Sequence, residues 1–494
     1  MSCEAVSIQP PIEQWQTLLT EFLEYSQNSA GVIDSRKELL KLAFEYTGQI
    51  NQAEKRLGLD TERIVQPPKH DTPIVMSGHQ PEIFHPGILR KNRELLSFAR
   101  TNQITPLFVS LDLDQHDAGV FFYPTRNRSG DLTVSKVSLS TGKGLVAGQK
   151  VRETGELKEI FSLVESSLHQ VAINPSGKFA RAKALYMELA GESINLANAI
   201  VRRQLAVEHA LLEISFSRIL EADFAKEWIG SLLSDPEKLF SCFNQSLLSY
   251  RADHKIKNTA NPFPNLKKDG TRLELPFWVI TPVANSRDSL WAALDDGNLS
   301  FSYGADSTRI ALKSIEKEQI IAPRGALTTA LFRHYCCDLF IHGLGGGKYD
   351  RFTDQFYANL RQEKLSPFVV VSETRLLFPD LAKELKDTEE SSKLIHQIKS
   401  HVGDYLDSGY FSVEQKELLT QLAKQQEELI DQLKTSSGKE RSTIAHALNG
   451  VKAEIAEHVE LSIGNSLQTK RSELERQSKA ILCREYPFFF FEKL

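Results

Sequence analysis

The sequence predicts an α/β protein in which a parallel-sheet core is interrupted by a mainly helical insertion and followed by a helical hairpin. Three observations predict it. Short apolar runs at 73–78 and 106–111 bracket a segment of helical period, and strand–helix–strand within about forty residues makes the two strands parallel. Runs of the same kind return at 275–280, 320–324, 338–342 and 367–372, after a stretch from about 150 to 250 that is mostly helical in period. Beyond 380 the chain is charged and Gln-rich, with two apolar stripes separated by Thr435-Ser436-Ser437-Gly438.

Taken in order, residues 1–70 read as a helical segment. Trp15, Leu18, Leu19, Phe22 and Leu23 recur at spacings of three and four, and Leu39, Leu40, Leu42 and Phe44 mark a second helix. The tandem prolines in 65–70 stop it, because they remove donors and forbid continuation. Residues 71–150 hold the first half of the core and 151–274 the helical insertion, where Ile194, Ala197, Val201, Leu205 and Leu212 fit one helix face. Residues 275–380 hold the second half, with a hairpin expected from 299–303 and 310–312. In 381–482, Ser412 and Gln415 form a capping box. Leu418, Leu422, Gln425, Leu429 and Leu433 then make one stripe, and Ile444, Leu448, Val451, Ile455 and Val459 the other. This is an antiparallel coiled-coil hairpin, or else solvated helix lying on the core. The run Phe488–Phe491, in the tail 483–494, is too apolar to stay exposed and is expected to dock on the core.

Composition excludes several classes. With 494 residues, about three structural units are expected, and 41% hydrophobic content supports real cores. A net charge of −5 argues against a dedicated nucleic-acid binder. Five scattered cysteines without C-x-x-C spacing read as reduced thiols of a cytoplasmic protein, with Cys336 and Cys337 as core residues. No segment approaches the roughly 18 apolar residues of a membrane span.

Four motifs can carry chemistry. The first, Ser77-Gly78-His79-Gln80 running to His85-Pro86-Gly87, lies on the loop between a strand and the next helix. Glycine lets backbone approach a ligand, and free amides at a helix start favour an anion. His79 and His85 can donate to that anion or exchange protons near neutral pH, with Arg90 and Lys91 adding charge; alternatively the histidines cap backbone groups. The second, Asp112-Leu113-Asp114-Gln115-His116-Asp117, ends the next strand. Clustered carboxylates repel, so Asp114 and Asp117 with His116 bind a cation or amine, act as a base, or serve as caps. The third is His342-Gly343-Leu344-Gly345-Gly346-Gly347-Lys348-Tyr349-Asp350. It is not a Walker loop, which needs Gly at 342 and Ser or Thr at 349; it is a glycine loop for close ligand approach or a structural turn. The fourth is Arg324, placed to fork onto a carboxylate or phosphate, or to form an internal ion pair.

The order of these motifs resembles the bacillithiol-biosynthesis cysteine-adding enzyme family. Ser77-Gly78-His79-Gln80 is similar to a T-G-Q-Q loop, and Asp114-Gln115-His116-Asp117 to E-D-H-D. Arg324 aligns with an arginine-proline motif, and Gly343 to Tyr349 with a Gly-rich, Tyr-containing segment. The likeness covers residues 70–130 and 275–494. It implies a Rossmann-like core related to class I nucleotidylyl transferases, a coiled coil used for dimerisation, and nucleotide binding. His79 in place of the first Gln, and the missing Pro and Glu of the Gly-rich segment, are departures.

The expected function is that of an ATP- or ADP-dependent, magnesium-assisted ligase joining an amino acid, such as cysteine, to a small anionic or sugar-derived acceptor. His79, Asp114, His116 and Asp117 are the expected catalytic groups. Ser77, Gly78, Gln80, His85, Arg90, Arg324, His342, Gly343, Gly345, Gly346, Gly347, Tyr349 and Asp350 are expected to bind nucleotide or substrate, in a homodimer that touches neither nucleic acid nor membrane. One alternative is a metal-dependent hydrolase built on the His/Asp cluster, and another is a non-catalytic dimeric coiled-coil protein.

Overall fold

The computed structural model describes residues 4–26, 30–59, 72–142, 144–206, 208, 210–295, 298–304, 308–310 and 319–492. The chain forms two compact units. The larger comprises the residues up to 123, then 135–375, and those from 484 onward; the smaller comprises 124–134 and 376–483. Among the described residues, no helix is long and apolar enough to cross a membrane.

The larger unit is mixed α/β around a largely parallel six-stranded sheet. Five strands run parallel in the order Leu212–Ser215, Thr105–Ser110, Ile74–His79, Leu339–His342, Phe368–Arg375. In chain order that is 3-2-1-4-5, the arrangement of doubly wound sheets, so the architecture is compatible with a Rossmann-like core. These strands are buried on both faces, and Ile74, Val75, Met76, Leu107, Val109, Leu339 and Ile341 are all sealed. Double burial is why they read as unbroken apolar runs rather than alternation. The reversal of order falls between Ile74–His79 and Leu339–His342, and each of these strands feeds a helix, Pro86–Asn102 and Leu344–Arg361.

Two strands differ from the sequence expectation. Glu4–Gln9, inside the segment expected to be helical, pairs antiparallel with Phe368–Arg375 at the sheet edge. Leu212, expected on a helix face, lies in the strand Leu212–Ser215. The helix before it ends at Ala206, and the sheet claims the next apolar run.

Strands expected to extend the core between 275 and 324 form a separate antiparallel sheet instead. Arg272–Thr281 is flanked by Ser286–Asp295 and Ile320–Pro323, and Asn298–Tyr303 and Thr308–Ile310 follow at one edge. The expected hairpin is thus present to Ile310; residues 311 and 312, like the 65–70 breaker, lie outside the described residues. The phenylalanine run packs into the larger unit. Phe488, Phe489 and Phe490 are buried, Phe488 N donates to Phe84 O at 2.9 Å, and Ser176 Oγ donates to Phe489 O at 2.6 Å.

The smaller unit contains the helices Pro379–Ser400, Val413–Thr435, Gly438–Val459 and Asn465–Ile481. The capping box on Ser412 and Gln415 forms. Leu448, Val451, Ile455 and Val459 are buried as the stripe predicts. In the facing stripe Leu422 is buried as expected, but Leu419 and Gln426 are buried in place of their neighbours Leu418 and Gln425, and Leu418 and Leu429 are only partly buried.

Candidate functional site

A cavity of about 860 Å³ opens at the carboxyl ends of the parallel strands, where the strand order reverses. This is where open α/β sheets take ligands. Gly78 and His79 end one strand, and His342 ends its neighbour and leads into Gly343. The antiparallel sheet supplies the facing wall through Trp278, Arg287 and Arg324, and the tail supplies Arg484 and Glu485.

The glycine run is the first turn of a helix rather than a loop. Gly343 is the N-cap of Leu344–Arg361 and carries no side-chain cap bond, so the amides of Leu344, Gly345 and Gly346 have no partner four residues back. Leu344, Gly345 and Gly346 line the cavity. A Cβ on Gly343 or Gly345 would meet open space, whereas one on Gly346 would sit 2.5 Å from His342 Nδ1, and one on Gly347 2.3 Å from Val370 Cγ2. Gly343, Gly345 and Gly346 thus line the cavity, while a side chain is excluded at Gly346 by His342 and at Gly347 by Val370.

His342 is anchored from behind. Its Nε2 lies 2.7 Å from Asp350 Oδ2, and Asp350 also accepts from Thr329 Oγ1 (2.7 Å) and Arg333 Nη1 (2.8 Å). Arg333, on a π-helical turn over Phe332–Cys336, reaches Asp354 at 2.7 Å and donates to Ser366 O at 2.7 Å. Burial alone would raise the Asp350 carboxyl, but Arg333 and His342 hold it well below the carboxylate range. Tyr349, half exposed, packs its ring against Phe263 and does not line the cavity.

The first histidine motif divides in function. His85 is the N-cap of Pro86–Asn102, and its Nδ1 accepts from Gly87 N at 3.0 Å. Burial, with Arg484 and Lys91 nearby, pushes it down to about 4, so at neutral pH it is a neutral cap, and it also lines the cavity. His79 lies 3.2 Å from Gln80 O and 3.4 Å from Glu82 Oε1. Burial first, then Lys91, lowers its pKa well below the usual value, so it meets a ligand as neutral imidazole. Ser77 lies beneath the site, fully buried, its Oγ without a hydrogen-bond partner. Arg90 does not line the cavity, since Glu94 and Glu373 hold its guanidinium.

The next residue does. Lys91 is 3% exposed, lines the cavity and donates from Nζ to Gly78 O at 2.7 Å. Burial, opposed in part by Glu82, brings its pKa down to about 7. Glu82 itself is pushed up to about 7 by burial and by Glu485 and Asp114.

Of the acidic cluster, Asp114 alone lines the cavity. It accepts from Arg287, from Gln115 N (2.9 Å) and from Gln80 Nε2 (3.3 Å). Burial would raise its pKa, but Arg287 and these donors hold it below the ordinary value. Asp117 instead shapes a turn, accepting from Gly119 N (3.0 Å) and Ser138 Oγ (2.8 Å). Asp112 accepts from Ser217 N and Oγ. His116 stands outside the cavity wall with Nε2 buried and unpartnered, its pKa lowered by burial. Among the described residues no three His, Cys, Asp or Glu side chains are grouped as metal ligands.

Arg324 lies 4.6 Å from the Trp278 ring centre and Arg287 4.8 Å from it. Arg324 donates to Glu274 at 2.8 Å and to Ser289 Oγ at 3.2 Å, the internal ion pair of the second expected reading, and it lines the cavity wall. Gly325 after it has φ +58°, and a Cβ there would meet Phe263 at 2.9 Å. Gly325→Ala is expected to destabilise by about 1–3 kcal/mol, read as a lowered urea midpoint.

Trp278, Arg287 and Arg484 are site residues that the sequence did not single out, and Lys91, expected only to add charge beside Arg90, is the one of that pair on the cavity wall. Only Lys91 carried a local signal, sitting on the apolar stripe Ile88, Leu95 and Leu96. No family model matches the sequence, and no curated protein matches it.

Proposed function

We propose that the protein is a nucleotide-dependent, ligase-like enzyme that joins an amino acid to a small anionic or sugar-derived acceptor in the cavity at the strand reversal. The observation that carries this is the convergence of the uncapped amides of Leu344, Gly345 and Gly346 with Arg324 and Arg484 on one cavity. Uncapped amides and guanidinium groups are donors for phosphate and carboxylate oxygens. Asp114 and Glu485 are the carboxylates on the wall suited to an ammonium or a magnesium ion. When bound, ATP supplies the activated phosphoryl group that drives the condensation. Gly343 and Gly345, open towards the cavity, leave room for it.

In this reading the core is of the class I nucleotidylyl-transferase type, the helices Val413–Thr435 and Gly438–Val459 form a coiled coil that joins two copies, and the enzyme works in the cytoplasm. The resemblance to cysteine-adding enzymes makes cysteine the first amino acid to try.

Calorimetric titration of ATP with magnesium into the full chain tests the proposal. Saturable binding is expected, with His79→Ala weakening it about tenfold, roughly 1.4 kcal/mol. Absence of heat in a sample shown to be folded refutes nucleotide dependence.

A further inference from the structure

The cavity holds a group that anion binding does not require. A lysine that only attracts anions works best as a hydrated ammonium, yet Lys91 is buried, with the Gly78 carbonyl as its hydrogen-bond partner. Among the described residues it forms no ion pair with a carboxylate. Burying an unpaired ammonium is costly, so an amine in this place favours its neutral form, which carries a lone pair. The groups acting on it are Glu82, which favours the charge, and His79 and His85, with Arg484 beside His85. Desolvation in a closed pocket is one arrangement that makes a lysine amine a nucleophile towards carbon.

We propose that Lys91 is a nucleophile and that the cavity takes an aldehyde or ketone bearing an anionic group as an imine on its Nζ. The Nζ lone pair attacks the carbonyl carbon, and the C=O π electrons move to oxygen. The carbinolamine then loses that oxygen as water, together with both amine hydrogens, and the C=N bond forms. No oxidant or reductant takes part. The anionic group of the ligand faces the amides of Leu344 and Gly345 and the guanidinium of Arg324 or Arg484. This rests on the cavity being the ligand site proposed above, and adds the carbonyl compound as its substrate class; a sugar-derived acceptor in open-chain form has such a carbonyl.

The test uses the full chain with pyridoxal 5′-phosphate as probe, followed by borohydride reduction and peptide mass spectrometry. Stoichiometric label on Lys91 is expected, its rate rising with pH through about 7 rather than near 10.5. Pyridoxal without the phosphate should label at least tenfold more slowly. Lys91→Met, shown folded by its thermal transition, should lose the label. Label scattered over other lysines with Lys91 unmodified overturns the proposal, and equal labelling by both probes overturns its anionic part. If ATP binds in calorimetry but Lys91 stays unlabelled, the nucleophile is refuted and the nucleotide reading stands. If Lys91 is labelled and ATP does not bind, the nucleotide reading alone falls.

Discussion

Arg333→Met is expected to destabilise the α/β unit by about 3–5 kcal/mol, because it leaves the Asp350 carboxylate buried without its main counter-charge. Both side chains are 2% exposed, so water cannot replace the lost donor. Adding Asp350→Leu should recover much of the loss, since an apolar pair in a sealed site needs no solvation. Urea denaturation of the two variants checks this, and a double variant as unstable as the single one would contradict it. The pH dependence has a definite sign. Asp350 is held below its ordinary 3.8 in the folded state, so its contribution is complete above that pH and is lost as pH falls below it. Arg333→Met should flatten that acid limb. In the double variant His342, left without Asp350, should also lose its orientation toward the cavity, which nucleotide titration would show as weakened binding.

Lys91→Met should do the reverse to stability while abolishing imine capture. Replacing a buried unpaired amine with an apolar chain of similar length is expected to stabilise by on the order of 1–4 kcal/mol at pH 7. The native amine holds its proton to about pH 7 and the unfolded one to about 10.5, so the unfolded chain binds more protons between these values. Stability of the parent protein therefore rises with pH across that window through this group, and the variant should lack the rise. Glu82, pushed up to about 7 from 4.5, works in the window below, where its contribution falls as pH rises. Melting temperatures from pH 5 to 10 separate the two, and an unchanged slope above pH 7 would contradict the assignment to Lys91. A residue that weakens the fold yet sits in the cavity is what a functional constraint leaves behind.

The parallel strands were legible because burial on both faces forces continuous apolar runs, and 73–78 and 338–342 need no partner to be read. Glu4–Gln9 was not, because an edge strand with Val6 half exposed has only a short, mixed pattern. The antiparallel sheet was visible as strands but not as a separate layer, since sheet membership depends on partners far along the chain. At the site, Gly78, His79, Asp114, Arg324 and His342 were readable because they lie at, or within four residues after, the ends of strands that sequence delimits. Trp278, Arg287 and Arg484 arrive from distant segments, and nothing local marks them. Arg90 and Lys91 are adjacent, and the helical period distinguishes them: Lys91 stands three residues after Ile88 and four before Leu95.

The α/β unit leaves off at Arg375 and resumes at Arg484, where Arg484 Nη2 donates to Ser372 Oγ at 2.9 Å. During synthesis on the ribosome, the sheet and both site helices emerge before that arginine and the phenylalanines behind it. Until about residue 490 clears the exit tunnel, Phe121 and Phe179 lack their aromatic partners Phe489 and Phe490. The nascent chain thus carries an open, sticky face and an incomplete cavity, so capture by chaperones should persist until the segment with Phe489 and Phe490 emerges and docks.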